Sequence, residues 1–259
     1  MILSVDELRF LYRNRVVLNE IAFSINEGEI VAILGPNGVG KTTLLKCLNR
    51  ILTPRGGAVL LDGNDLLRLD MIEIARKVGY VPQRVETGRL TAFDAVLLGR
   101  KPHIGWDISE KDLKIVDAVF RRLSMDNLRL SFLDEMSGGE LQKIAIARAL
   151  VQEPKVLLLD EPTSNLDLKN QVSILSIITR IVREHHIAAV MTMHDLNQAL
   201  RFADRFIFLK GGKIFSHGGH DVVNPGVIEE VYGLPVVIGS LAGIRCVVPA
   251  EQACELMND

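Results

Sequence analysis

Cysteine is scarce in this chain of 259 residues, occurring only at Cys47, Cys246 and Cys254. An odd count with no metal-ligand spacing argues against a disulfide scaffold or a thiolate metal site, and favours a reducing compartment in which the three act as small apolar side chains. A surplus of positive charge is also missing. Thirty basic residues against 32 acidic ones leave a net charge of −2, which argues against a protein whose main task is to neutralise nucleic-acid phosphates. The stretch Met1–Asp6 has neither a basic segment nor a long apolar one, so a secretory signal is not expected. Long hydrophobic runs are absent too. The longest uncharged stretch, Val231–Ile244, is broken by Gly233, Pro235, Gly239 and Gly243, whereas a spanning helix needs about 20 mostly apolar residues. Internal repeats and low-complexity tracts do not occur. Yet the mean hydropathy is +0.22, so the apolar surplus must sit in a core or on a surface that meets another molecule.

What is present alternates between two periods. Ile30–Leu34, Val156–Leu159 and Ile187–Met193 are apolar on both faces, as strands of a parallel sheet covered by helices must be. Between them, Leu44, Leu45, Leu48, Ile51 and Leu52 fall on one helical face with Pro54 beyond the end, and Ile174, Leu175, Ile178, Ile181 and Val182 form another. The first 30 residues and Ala58–Leu61 look antiparallel, with Asp62-Gly63 as a turn. Residues 84–135 differ in texture, carrying nine basic and nine acidic residues and almost no strand-like runs. There, Ser109–Asp112 reads as a capping box that opens a helix through Leu113, Val116, Phe120 and Leu123. Near the end, Asn224-Pro225 opens a short helix that stops at Gly233, followed by β-like runs at Val236–Ile238 and Arg245–Val248.

The chemistry begins at Gly35-Pro36-Asn37-Gly38-Val39-Gly40-Lys41-Thr42, which fits G-x-x-x-x-G-K-[ST] between an expected strand and an expected helix. Glycines allow the backbone N–H groups to turn inward toward phosphate oxygens, and the helix start adds positive potential. Lys41 would reach the β- and γ-phosphates and Thr42 would bind Mg²⁺. Asp160 ends an apolar strand, where parallel sheets present their ligands, and Glu161 follows where a carboxylate can polarise an attacking water. An acidic pair at a strand end is equally common as a solvated terminus; the upstream phosphate loop gives it a role. Ser137-Gly138-Gly139-Glu140 is a second phosphate-compatible helix start, although spacing alone describes an ordinary capped helix.

Taken in order, these motifs resemble the ATP-binding cassette (ABC) ATPases over nearly the whole chain. The quoted order is Gly35–Thr42, Gln83 in Gly79–Gln83, Met136–Glu140, Val156–Pro162, Ser164–Asp167, and His194 in Thr192–Asp195. The resemblance implies an α/β fold: a P-loop NTPase core with a buried, mainly parallel sheet, an antiparallel β subdomain and a helical insertion. It implies a single domain, with core and β subdomain at 1–83 and 136–215, a helical subdomain at 84–135 and a short C-terminal extension at 216–259. It also implies that Gly35, Pro36, Asn37, Gly38, Val39, Gly40, Lys41, Thr42 and Thr43 hold ATP, with Tyr12 stacking on adenine, though Tyr12 could instead be a strand aromatic in the core. Thr42, Gln83 and Asp160 would hold Mg²⁺, and Glu161 and His194 would be catalytic. Ser137, Gly138, Gly139 and Glu140 would close over ATP held by a second copy, and Asp167 would lie in the loop meeting that copy. Met136 and Glu140 depart from the usual Leu and Gln of this signature.

Leu97–His103, after Leu90-Thr91, is similar to a stretch of importer ATPases for iron–siderophores, haem and cobalamin, although an exposed basic loop reads the same way. That similarity implies a peripheral subunit on the cytoplasmic membrane face. It would pair with a second copy, with a permease docking on residues about 84–106, and indirectly with an extracytoplasmic substrate-binding protein, and no nucleic acid would be involved. A soluble member, such as an iron–sulfur cluster assembly factor, shares every nucleotide motif. DNA-repair members would add a long coiled coil and ABC translation factors a second cassette, and a small-molecule kinase has no use for Ser137–Glu140.

Overall fold

The computed structural model describes residues 1–250; Cys254 and the end of the C-terminal extension lie outside the described residues. The chain opens with β1 (Leu3–Tyr12), β2 (Arg15–Ile25) and β3 (Ile30–Leu34), then α1 (Lys41–Leu48), β4 (Gly56–Leu61), β5 (Asn64–Asp65), α2 (Met71–Lys77) and β6 (Val78–Val81). Next come α3 (Ala92–Leu97) and α4 (Glu110–Arg122), with single 3-10 turns around them. The second half runs α5 (Gly138–Leu150), β7 (Val156–Asp160), α6 (Leu168–His185), β8 (Ala188–Thr192), α7 (Leu196–Phe202), β9 (Arg205–Lys210) and β10 (Lys213–Gly218). It ends with α8 (Pro225–Tyr232), β11 (Val236–Leu241) and β12 (Ile244–Pro249).

The central sheet has the order β10-β9-β3-β8-β7-β6, parallel except for β10 at its edge. Its inner strands are apolar on both faces because each face has its own core. Ile30, Ala32 and Leu34 of β3 point into a core shared with α5 and α6, whereas Val31 and Ile33 point into one shared with α1 and the antiparallel sheet β2-β1-β4-β5. β7 alternates likewise, with Leu157 and Leu159 on one side and Val156 and Leu158 on the other. Each such valine, leucine or isoleucine contributes roughly 1.5–3 kcal/mol by leaving water. Two cores separated by one sheet hold the loops at its carboxyl edge on rigid supports.

The antiparallel expectation holds: β4 pairs with β1 and turns into β5 through Asp62 (φ 50°) and Gly63 (φ 74°). Asn224 caps α8 by accepting from Val227 N at 3.0 Å, and Gly233 ends it at φ 71°. Two sequence expectations are corrected. Helix α1 stops at Leu48, and Ile51 is exposed instead of continuing its apolar face, because the chain reverses at Arg50 (φ 52°). On α4, Val116 and Phe120 are buried but Leu113 faces solvent. No helix among the described residues is long and apolar enough to cross a membrane.

Candidate functional site

The site lies at the carboxyl edge of β3, β7 and β8. As β3 ends, Gly35 adopts φ 144°, and a Cβ there would lie 2.5 Å from the Leu209 carbonyl oxygen of β9. At Gly40, which precedes α1 with φ 112°, a Cβ would lie 2.9 Å from Leu18 Cδ2. The first and third glycines of the loop are therefore sterically required. α1 then begins with no side-chain cap and no acidic residue in its first turn, so its leading N–H groups are left for an external anion.

Lys41 is buried, and its ammonium donates to the carbonyl oxygens of Gly35 (2.8 Å) and Pro36 (3.2 Å). Burial pulls its pKa below the ordinary lysine value, opposed by the charges of Glu161 and Asp160. The loop thus carries its own cation, folded onto carbonyls that a phosphate group can replace.

Asp160, the last residue of β7, is buried and its Oδ1 accepts from Thr42 Oγ1 (3.0 Å) and Thr192 Oγ1 (2.8 Å). Thr192 Oγ1 in turn accepts from the Glu161 amide at 2.8 Å. Glu161 has φ 48°, a left-handed conformation that costs energy for a non-glycine residue and persists where its surroundings enforce it. Its carboxylate accepts from Gln83 Nε2 and pairs with His194 Nε2. Tyr80 lies beside Asp160, its phenol pushed up to about 12 by burial and then by the Asp160 charge. Thr192 was missed in the sequence, although it also ends a parallel strand and the rule that found Asp160 applies to it.

The Ser137–Glu140 segment is built differently. Ser137 Oγ accepts from the Glu140 amide at 3.4 Å, while Glu140 Oε2 accepts from Ser137 N (2.9 Å) and Oγ (2.6 Å), a complete capping box on α5. The Ser137 hydroxyl and amide hold the Glu140 carboxyl below the usual range. A Cβ on Gly139 would come within 2.9 Å of Asn170 Cγ. Asp167 caps α6, accepting from Asn170 N (2.7 Å) and Nδ2 (3.1 Å). The start of α5 therefore packs against the turn that carries Asp167. Tyr12, at the end of β1, is half exposed and edge-on to Phe10 at 4.8 Å, so it is not a core aromatic.

Leu97–His103 is not an exposed basic loop. Arg100 is buried, donating from Nε to Asp112 (2.9 Å) and from Nη1 to Glu153 (2.8 Å) and the Val151 carbonyl oxygen. His103 Nε2 lies 2.9 Å from the Gln152 carbonyl oxygen. Of the basic residues in that run only Lys101 is exposed. Cys47 is buried, with its thiol pushed up to about 12 by burial, and no His/Cys/Asp/Glu cluster suited to a metal occurs among the described residues.

A phosphate loop with a buried lysine, a strand-end aspartate bonded to the loop threonine and a glutamate beside it define a nucleotide-hydrolysing P-loop protein. The ABC transporter family model matches residues 18–164, and the chain belongs to that family as an ATP-binding, ATP-hydrolysing subunit. It is 54% identical over 249 residues to an uncharacterised ABC transporter ATP-binding protein of Methanocaldococcus jannaschii, covering 96% of this chain and 98% of that one. It is 36% identical over 252 residues to the ferric enterobactin transport ATP-binding protein of Escherichia coli, covering 94% and 92%. Among solved structures, it is similar to a chain of an inward-facing transporter assigned to the metal-chelate type, with TM-score 0.85, 29% identity and 98% of both chains covered. A dimeric ATP-binding cassette with bound ADP and Pi matches with TM-score 0.73 and 28% identity, covering 84% of this chain and 98% of that one.

Proposed function

We propose that the chain powers an importer for an iron chelate, working as a homodimer on the cytoplasmic face of the membrane beneath a separate permease. A binding protein outside the membrane would deliver the cargo. The observation that carries this reading is the apolar surface of the helical insertion. Leu90, Leu98, Trp106 and Ile108 are exposed, and Leu90, Leu97, Leu98, Lys101, Ile104 and Ile108 line an open groove of about 500 Å³. Residues about 84–106 thereby offer a docking face that needs no lipid contact. A second cleft, between α2 and α5, has Tyr80, Pro82, Arg84 and Val85 in its lining, the residues that flank Gln83 in sequence. Relatives named for ferric enterobactin and iron(3+)-hydroxamate transport support the choice of cargo; haem and cobalamin are the other cargoes of the resembling group.

In this reading Gly35–Thr43 hold the triphosphate of ATP, Lys41 leaves the loop carbonyls for the phosphates, and Tyr12 stacks on adenine. Glu161 orients and polarises the attacking water, held by Gln83 and His194. The donors Thr42, Asp160 and Gln83 are all oxygens, as a hard cation prefers, and the Thr42–Asp160 bond already brings two of these residues together. Mg²⁺ bound there would neutralise phosphate charge. Ser137–Glu140 of a second copy closes over the γ-phosphate, and Asp167 lies at that junction.

Reconstitution with the candidate permease in lipid, with ferric siderophore, haem, cobalamin and molybdate offered in turn, tests the reading. The expected result is stimulated ATP hydrolysis with the ferric chelate and its loaded binding protein. A chain that stays soluble beside its permease and hydrolyses ATP regardless of cargo would instead support a soluble cluster-assembly role.

A further inference from the structure

The C-terminal extension reaches back to the nucleotide loop. Tyr232, the last residue of α8, accepts from the Gly35 amide through its phenolic oxygen at 2.9 Å, across 197 positions of sequence. Gly35 lies just beyond the last paired residue of β3, where Leu34 faces Phe208, so its buried N–H has left the sheet and needs another acceptor. Burial pushes the phenol's pKa from its ordinary 10 up to about 12. On the other side of the same residue, the Gly35 carbonyl accepts from Lys41 Nζ at 2.8 Å.

The extension is itself fastened to the opposite side of the site. Asn197, three residues after His194, pairs with Val247 of β12 like a strand neighbour. Its Oδ1 accepts from Val247 N at 2.7 Å, and its Nδ2 donates to the Val247 carbonyl oxygen at 3.2 Å. Arg245 donates to the carbonyl oxygens of His220 (2.8 Å) and Val223 (3.0 Å), tying β12 to the approach to α8.

We infer that Tyr232 is a positioning residue for ATP binding: its oxygen fixes the Gly35 amide and so sets the loop on which Lys41 and the phosphates exchange places. The inference rests on the reading of Gly35–Thr43 as the triphosphate site. Without the oxygen, the N–H is left buried and unpaired and the loop relaxes away from its phosphate-ready form.

The test is Tyr232→Phe, which keeps the ring and removes only the oxygen, beside Lys41→Ala. Affinity for a fluorescent ATP analogue, steady-state KM and kcat, and deuterium exchange over residues 30–45 are measured on the full chain. Tyr232→Phe is expected to raise Kd and KM roughly 3–10-fold, the worth of one buried hydrogen bond, with kcat unchanged and faster exchange in the loop. An unchanged Kd and KM in the folded fraction overturns the inference, whatever happens to the melting temperature. If Lys41→Ala binds nucleotide normally, the triphosphate reading itself fails; if only Lys41→Ala weakens binding, Tyr232 alone is wrongly assigned.

Discussion

Two helices of this chain begin with glycine-rich turns, and their first turns are built in opposite ways. α1 starts uncapped behind Gly40, without an acidic side chain and with a buried lysine as its first residue. α5 starts behind Ser137 with a closed capping box and an ionised Glu140. The first is open to an anion held by its own chain; at the second the box takes the Ser137 and Glu140 amides and leaves those of Gly138 and Gly139 for an anion that approaches from outside. A third start calibrates the second. At α4, Ser109 and Asp112 form the same box, but Asp112 is buried against Arg100 at 2.9 Å. The Ser109 hydroxyl, then Arg100, hold its carboxyl down at about 2. One box holds Arg100, which ties the insertion to the core through Val151 and Glu153, while the other closes on itself.

Breaking the α4 box has the largest effect on the fold. Asp112→Asn takes one of two carboxylate partners from the buried Arg100, leaving Glu153, and is expected to cost about 1.5–3 kcal/mol of stability, the worth of a charged hydrogen bond, read by denaturant unfolding, while ATP affinity of the folded fraction stays unchanged. Glu161→Gln acts on turnover, lowering it at least ~10²–10³-fold as loss of a transition-state contact does, with nucleotide binding kept; near-normal hydrolysis would remove Glu161 from its role. Lys41→Ala should weaken ATP binding by roughly 10–100-fold, the worth of a charged hydrogen bond, measured by titration calorimetry. Ser137→Ala is smaller, about 1 kcal/mol of helix-cap stability, yet it should impair turnover while leaving ATP binding to the separate chain intact.

Acid separates the two boxes most finely. Both carboxyls are held below their ordinary values, so both stabilise the fold above those values and lose that contribution as pH falls. The Asp112 contribution is complete above its ordinary value of 3.8 and fades toward about 2. That of Glu140 begins to fade just below its ordinary 4.5. Asp112→Asn should therefore flatten the acid limb of the stability profile at its lower end, and Ser137→Ala at its upper end.

The open helix start was legible in the sequence because local pattern and chemistry coincide there: a doubly apolar strand, obligatory glycines and a lysine within eight residues. Asp160 and Glu161 were legible for the same reason, at the end of β7. The capping boxes at Ser109 and Ser137 were also readable, since three-residue spacing is their whole geometry. Long-range contacts were not. Arg100 reads as a solvated charge in a basic run, and only the packing of the insertion on the end of α5 turns it inward. Tyr232 ends an ordinary amphipathic helix, and no local signal marks its partner 197 positions away. The apolar surplus has two destinations, the paired cores of the sheet and the exposed side chains near Leu98 and Trp106.

On the proposed reading, the ATP site is half a site until a second copy supplies its α5. Light scattering on Glu161→Gln tests this most directly. The account predicts a mass of one chain, 28.7 kDa, without nucleotide and about twice that with ATP, and no doubling once Ser137→Ala is added. A Glu161→Gln chain that binds ATP yet keeps the mass of one chain at every concentration, or that doubles just as well with Ser137→Ala, would contradict it.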